Sequence, residues 1–219
     1  MRDDASLPDS FERPRSFYAR HGKRLIDVAV VGAAIVALAP IIAGITAVVR
    51  VCLGSPVLFR QRRTGRDGVP FEILKFRSMT EARSEDGSLL ADGERLTSLG
   101  RFLRATSLDE LPELWNVLRG DMSVVGPRPL LHKYMSRYTP RQHYRHDVRP
   151  GITGWAAVNG RNTTTWEERF ELDLYYVENV SLALDLEILA RTLVTVLSRR
   201  DINPREADTM SEYEGIGRD

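Results

Sequence analysis

The sequence predicts a mostly α protein with a small β-hairpin, an α+β chain attached to a membrane by its N-terminal helix. Three observations carry that prediction. The run from Val28 to Val49 contains no charged residue and is long enough to cross a bilayer. Later stretches repeat apolar residues at helical spacing, whereas only the short runs Val57–Gln61 and Phe71–Phe76 read as strands. Pro40 stands in the middle of the apolar run, where it removes a backbone hydrogen bond and clashes with the preceding turn, so the helix is expected to bend or break at Ala39-Pro40, giving two short arms.

Composition narrows the function. A net charge of +1 over 219 residues argues against a general nucleic-acid binder. A single cysteine, Cys52, excludes an intramolecular disulfide and any multi-cysteine metal site, and fits a reducing compartment. The apolar run is too long for a cleaved signal peptide, and basic sequence follows it instead of a cleavage site. Lys23, Arg24 and Asp27 mark its membrane boundary, and Asp27 is placed to pair with Lys23 or Arg24 one turn earlier. Arg20, Lys23 and Arg24 precede the run, and Arg50, Arg60, Arg62, Arg63 and Arg66 follow it. Basic residues at both ends suit a re-entrant hairpin that enters and leaves by one leaflet, with a kinked spanning helix as the alternative.

After the membrane run, Gly65-Arg66-Asp67-Gly68 joins the two strands in a hairpin whose arginines can meet anionic headgroups or simply stay solvated. Asp86-Gly87 and Asp92-Gly93 signal turns, and Leu99, Phe102 and Leu103 mark a short helix. The stretch from Arg104 to Leu130 then organises the chain. Asp109 and Glu110 stand where a helix should begin, with Ser107 or Asp109 as its cap and Pro112 tolerable only in its first turn. Both carboxylates would feel the positive end of that helix, which also attracts phosphate. Arg104 lies just upstream, and Arg128 stands between two prolines in Gly126-Pro127-Arg128-Pro129, which suggests an anion site. Ser107-x-x-Glu110 is equally a plain capping box, and the stripe Leu108, Leu111, Leu114, Trp115 and Leu118 is explained by core packing.

Beyond it, His143 and His146 share a helical spacing but lack an obvious third ligand. Gly151 to Arg161 is rich in glycine and turns, so that backbone amides and Arg161 can approach a ligand. Thr165-x-x-Glu168 is a second capping box and opens a helix with Trp166, Phe170, Leu174 and Val177 on one face and Asp173 near it. The last helix, about 181–198, is amphipathic along Leu182, Leu186, Leu189, Leu193 and Leu197, a stripe that suits a membrane surface or a core equally.

The ordered series Lys23-Arg24-x-x-Asp27, Lys75-Phe76-Arg77-Ser78-Met79, Thr106 to Leu114, Gly120-Asp121-Met122-Ser123, Gly126-Pro127-Arg128-Pro129, and Arg149 to Trp155 with Arg161-Asn162 resembles the bacterial monotopic phosphoglycosyl transferases in their minimal form. The resemblance covers about 21–200. It implies a monotopic membrane protein: a flexible extension over 1–20, a re-entrant helix-break-helix over 21–53, a cytoplasmic or interfacial catalytic domain over 54–200, and a flexible tail over 201–219. It implies transfer of a sugar 1-phosphate from a UDP-sugar to polyprenyl (undecaprenyl) phosphate at the cytoplasmic face of the bacterial inner membrane, releasing UMP as a first step of glycan assembly. Asp109 would be the nucleophile, forming a phosphosugar-aspartyl intermediate, Glu110 a ligand for Mg²⁺, and Arg104, Arg128 and Arg161 the grips on phosphate. The minimal form suggests an N-acetylated donor. Membrane lipid, a second copy of the chain and downstream glycosyltransferases are the further partners it allows. Family members carry Ser-Pro at the break where this chain has Ala39-Pro40, which removes a hydroxyl that would satisfy a freed carbonyl. Direct attack by the lipid phosphate with Asp109 as base, and a non-catalytic membrane scaffold, are the competing readings.

Overall fold

The computed structural model describes residues 16–160, 165–198 and 212–215. Most of the expected N-terminal extension, Arg161 and most of the tail therefore lie outside the described residues. A π-helical turn, Tyr18–Gly22, leads into α1, Lys23–Leu53, and a hairpin of β1, Leu58–Thr64, and β2, Pro70–Phe76, follows. Next come α2, Asp92–Arg95, α3, Ser98–Ala105, and α4, Glu113–Arg119. Strand β3, Ser123–Val125, precedes the single-turn α5, Pro140–His143, and pairs in parallel with β4, Gly151–Thr153. The short α6, Trp155–Asn159, α7, Trp166–Glu178, and α8, Leu182–Ser198, complete a mostly helical chain with two small sheets.

Helix α1 is long and apolar enough to cross a membrane, and very little of it is buried within the protein. Leu25, Val30, Val36 and Val51 are all more than half exposed. The helical pattern continues through Ala39-Pro40, so the expected break is not an interruption of helix; Pro40 only deprives the Val36 carbonyl of its intrahelical donor. Both halves of α1 pack on the following domain. Val31 shares a buried cluster with Ile73, Val117 and Met122, while Val49 shares another with Phe76 and Leu103. Ile42, Ile45 and Leu53 pack against that second cluster, as do Leu108 and Leu111 on either side of Asp109 and Glu110.

The boundary residues do not pair with one another as the sequence suggested, because each finds a partner in the domain. Lys23 reaches Asp185 in α8 at 2.5 Å, and Arg24 donates to the carbonyls of Val117 and Leu118 at the end of α4 at 2.5 and 2.8 Å. Asp27, buried, accepts from Ser123 Oγ at 2.7 Å and from the Val124 amide at 3.2 Å. Arg77 closes the other end of α1 by donating to the Leu53 carbonyl, one of the carbonyls that a helix C-terminus leaves without a donor.

The hairpin forms in full antiparallel register, Leu58 opposite Phe76 through Thr64 opposite Pro70. Its open edge is closed by a side chain: Asn116 of α4 accepts from the Leu74 amide at 3.0 Å and donates to the Glu72 carbonyl at 2.7 Å, which fixes α4 along β2. The β3–β4 pair depends on glycines. A Cβ on Gly151 would lie 2.1 Å from Gly126 N, and one on Gly126 would lie 2.4 Å from the Arg149 carbonyl, so neither position has room for a side chain.

The Thr165 capping box forms as read, and α7 buries Phe170, Asp173, Leu174, Tyr176 and Val177. In α8 the buried face is Leu184, Asp185 and Ile188, whereas Leu182, Leu186, Leu189 and Leu193 are exposed. The leucine stripe is therefore not a core face. The tail departs from its expected flexibility over 212–215, where Tyr213 is buried in an aromatic cluster.

Candidate active site

The stretch around Asp109 is a tight turn and not the start of one helix. Ser107 takes a left-handed conformation, φ 54°, and makes no capping bond, so the predicted Ser107-x-x-Glu110 box does not form. Leu108–Glu110 is a 3₁₀ turn in which the Leu111 amide bonds back to the Leu108 carbonyl. The reason is Pro112: it has no N–H to continue the α ladder to Leu108, and it becomes the N-cap of the seven-residue α4. The two carboxylates thus sit on a turn ahead of a short helix, whose dipole contributes little to them.

What surrounds them is charge. Lys75, on the strand that Asn116 fixes beside α4, places Nζ 2.5 Å from Glu110 Oε1 and 3.3 Å from Glu113 Oε1. Arg128 Nη2 reaches the same Glu110 oxygen at 3.0 Å. Asp109 and Glu113 are buried, Glu110 and Lys75 largely so, and Arg128 is 46% exposed at the mouth of the cluster. Burial alone would raise the Glu110 carboxyl, but Arg128 and Lys75 hold it down at about 2. Glu113 is pushed up to about 7 by burial and by the neighbouring Glu110 charge. Asp109 is raised by burial, with Lys75 and Arg104 acting against the shift. Arg104 Nε donates to Ser78 Oγ at 3.0 Å, which holds the last turn of α3 beside the Asp109 turn.

Arg128 is held through its backbone. Arg145 donates to the Arg128 carbonyl at 2.8 Å while its guanidinium pairs with Asp173 at 2.6 Å, both side chains being 2% exposed. Arg63 donates to the Pro129 carbonyl at 3.2 Å, and burial next to Arg128 lowers it to about 10. Arg63 is thus turned inward and is not the headgroup contact its loop position suggested. The sequence motif 75–78 is likewise divided among tasks: Lys75 pairs with the carboxylates, Phe76 packs on Val49 and Leu103, Arg77 closes α1, and Ser78 holds Arg104.

His146 is buried, stacked on Tyr138, and its Nδ1 lies 3.2 Å from the Gly65 carbonyl. Among the described residues no three ligand-type side chains converge in the manner of a protein-built metal site. The oxygen donors of Asp109 and Glu110 nevertheless fit Mg²⁺ chemistry, since that ion usually takes one or two carboxylates and completes its shell with phosphate and water. A separate cavity of about 270 Å³ lies at the N-terminal end of α1, between Arg20, Lys23, Arg24, Arg66 and Arg149, away from Asp109.

Residues 18–199 match the family described as bacterial sugar transferase. The chain belongs to that family. This bacterial sugar transferase is 49% identical over 195 residues to a Bacillus subtilis protein named uncharacterized sugar transferase EpsL, covering 89% of this chain and 96% of that one. It is 44% identical over 181 residues to the UDP-glucose:undecaprenyl-phosphate glucose-1-phosphate transferase of Klebsiella pneumoniae, with 78% of this chain and 39% of the relative covered. It is 38% identical over 184 residues to the UDP-N-acetylgalactosamine-undecaprenyl-phosphate N-acetylgalactosaminephosphotransferase of Aeromonas hydrophila, with 80% and 44% covered. The sugar transferase thus spans nearly all of the first relative and less than half of the other two. Family membership bears out the resemblance read from the motifs, makes the chain an enzyme, and sets aside the non-catalytic scaffold. With the long apolar helix it also makes the transferase membrane-associated.

Proposed function

We propose that this bacterial sugar transferase moves a sugar 1-phosphate from a UDP-sugar to undecaprenyl phosphate, releasing UMP, at the cytoplasmic face of the inner membrane. The observation that carries the reading is the Asp109 carboxylate, buried on a turn between Lys75, Arg104 and the half-exposed Arg128 and packed over the second half of α1. A carboxylate so placed can receive a diphosphate whose charge the three cations offset. The names of the relatives supply the donor and acceptor classes, and they differ among themselves in the sugar.

In the proposed sequence, Asp109 attacks the sugar-bearing phosphorus, the bond from that phosphorus to the bridging oxygen breaks, and UMP leaves with the oxygen. Undecaprenyl phosphate then attacks the same phosphorus of the phosphosugar-aspartyl intermediate and frees the Asp109 carboxylate. Arg128 and Arg104 neutralise the transferred phosphate, Arg161 is proposed to join them, and Lys75 keeps Glu110 ionised. Glu110, with Asp109, would hold Mg²⁺, which when bound offsets charge on the diphosphate. The burial that raises Asp109 also favours the second reading, in which Asp109 is a base and the lipid phosphate attacks directly.

The membrane placement is supported by packing on both sides of Pro40. Val31 and Val49 stand on opposite sides of Pro40, and each lies in a buried cluster with residues of the following domain. That suits a re-entrant helix bent toward one leaflet, and the exposed leucines of α8 add an apolar surface to lie on it. The test is purified protein in lipid with Mg²⁺, a panel of UDP-sugars and undecaprenyl phosphate. Formation of lipid-linked sugar with one donor is expected, and its absence with every donor would refute the assignment.

A further inference from the structure

Residues 212–215 lie beyond the stretch that matches the family, and the reaction proposed above does not use them. They are nonetheless docked. Tyr213 is 2% exposed, with its ring 5.9, 5.3 and 5.2 Å from those of Tyr134, Trp166 and Phe170. Its hydroxyl donates to Gln142 Oε1 at 2.9 Å. Glu212 lies 2.8 Å from Lys133 and 3.1 Å from Arg137, and Arg137 also donates to the Tyr213 carbonyl. An aromatic ring fully enclosed with its hydroxyl bonded, next to a carboxylate between two cations, has the composition of a peptide-recognition site.

We propose that this cleft is a binding site for a tyrosine flanked by acidic residues, filled in this chain by its own Glu212-Tyr213-Glu214-Gly215, and that its occupancy positions Arg128 and the first turn of α7. The contacts run in series. Tyr213 packs on Phe170, the Arg145 guanidinium lies 5.6 Å from the centroid of that same ring, and Arg145 donates to the Arg128 carbonyl. Tyr213 also packs on Trp166, the first residue of α7 and five positions after Arg161. The binding half of this proposal is independent of the reaction; the positioning half rests on Arg128 holding substrate phosphate.

The test uses the full-length chain carrying Tyr213→Ala or Tyr213→Phe, a chain ending at residue 203, and a synthetic peptide of residues 208–219. The shortened chain is expected to bind the peptide saturably in fluorescence anisotropy, and a peptide with Tyr213→Ala about tenfold or more weaker. In the full-length chain Tyr213→Ala should speed amide exchange over Trp166–Phe170 and raise the donor KM more than it lowers kcat, while Tyr213→Phe, which keeps the ring, should stay close to wild type in both. The 208–219 peptide should restore the donor KM of the shortened chain. Absence of saturable binding together with unchanged exchange in Tyr213→Ala would overturn the site. Binding with a donor KM indifferent to the peptide would overturn the positioning role. A wild-type chain inactive with all donors would refute the proposed reaction while leaving the binding and exchange results to decide the site.

Discussion

Lys75 Nζ stands between Glu110 and Glu113, at 2.5 and 3.3 Å, and so divides two carboxylates one helical turn apart into a charged one and one that favours its proton. The strand supplies the cation and the turn supplies the acids, and Asn116 keeps strand and helix in register. Removing the cation in Lys75→Met leaves that pair of acids without its common partner. We expect a loss of about 3–5 kcal/mol of stability and a fall of about 10² in kcat/KM, read by thermal unfolding in detergent and by UMP release. Lys75→Met with wild-type stability and turnover would show that the cluster is incidental.

Glu113 gives the pH dependence a definite sign. Its folded pKa of about 7 lies above the ordinary 4.5, so the folded state holds the proton more tightly. The stability it contributes is complete below about pH 4.5 and is lost as pH rises toward 7. Glu113→Gln, which keeps an uncharged side chain of the same shape, should remove that decline. Thermal midpoints between pH 4.5 and 8 for the two proteins check this, and parallel profiles would contradict it.

The Arg145–Asp173 pair is predicted to be indispensable although neither residue faces the carboxylate cluster. Both are 2% exposed, so Asp173→Asn leaves a buried guanidinium uncompensated and costs about 3–5 kcal/mol. Arg145→Lys should not rescue, because one ammonium cannot reproduce the two bonds to Asp173 and the third to the Arg128 carbonyl. Unfolding and donor KM measured together distinguish this from a surface ion pair, which would change neither.

Gly100→Ala tests how Arg104 is placed. A Cβ there would lie 1.9 Å from the Ser78 carbonyl, so α3 must move away from the residue that holds Arg104. Activity is expected to fall with stability, whereas Gly93→Ala, which meets nothing within 4 Å, should leave both unchanged.

Much of this fold was legible in the sequence because its signals are local. The charge-free run, the two strand runs of the hairpin and the Thr165 box each appear where they were read. The Asp109-Glu110 pair with Arg128 was legible as a cluster of opposite charges, and Glu110 and Arg128 do meet. The rest depended on partners distant in sequence. Asp27 has basic neighbours one turn away, yet it bonds to β3, 96 positions later, because burial there leaves Ser123 and Val124 in need of an acceptor. Lys75 and Glu113 were passed over, although a lysine inside an apolar strand is itself a sign of a buried partner. The Ser107 box failed because Pro112 changes the hydrogen-bond ladder that the motif presupposes. The polar tail gave no hint that Tyr213 would find an aromatic cleft.

The role proposed for Asp109 as nucleophile is tested most directly by mass spectrometry of protein quenched after mixing with Mg²⁺ and a UDP-sugar in the absence of lipid. A burst of UMP approaching one equivalent and a sugar-phosphate adduct on the peptide carrying Asp109 are expected, both absent in Asp109→Asn. UMP release that requires undecaprenyl phosphate, with no adduct at any time, would contradict it and assign Asp109 the role of base.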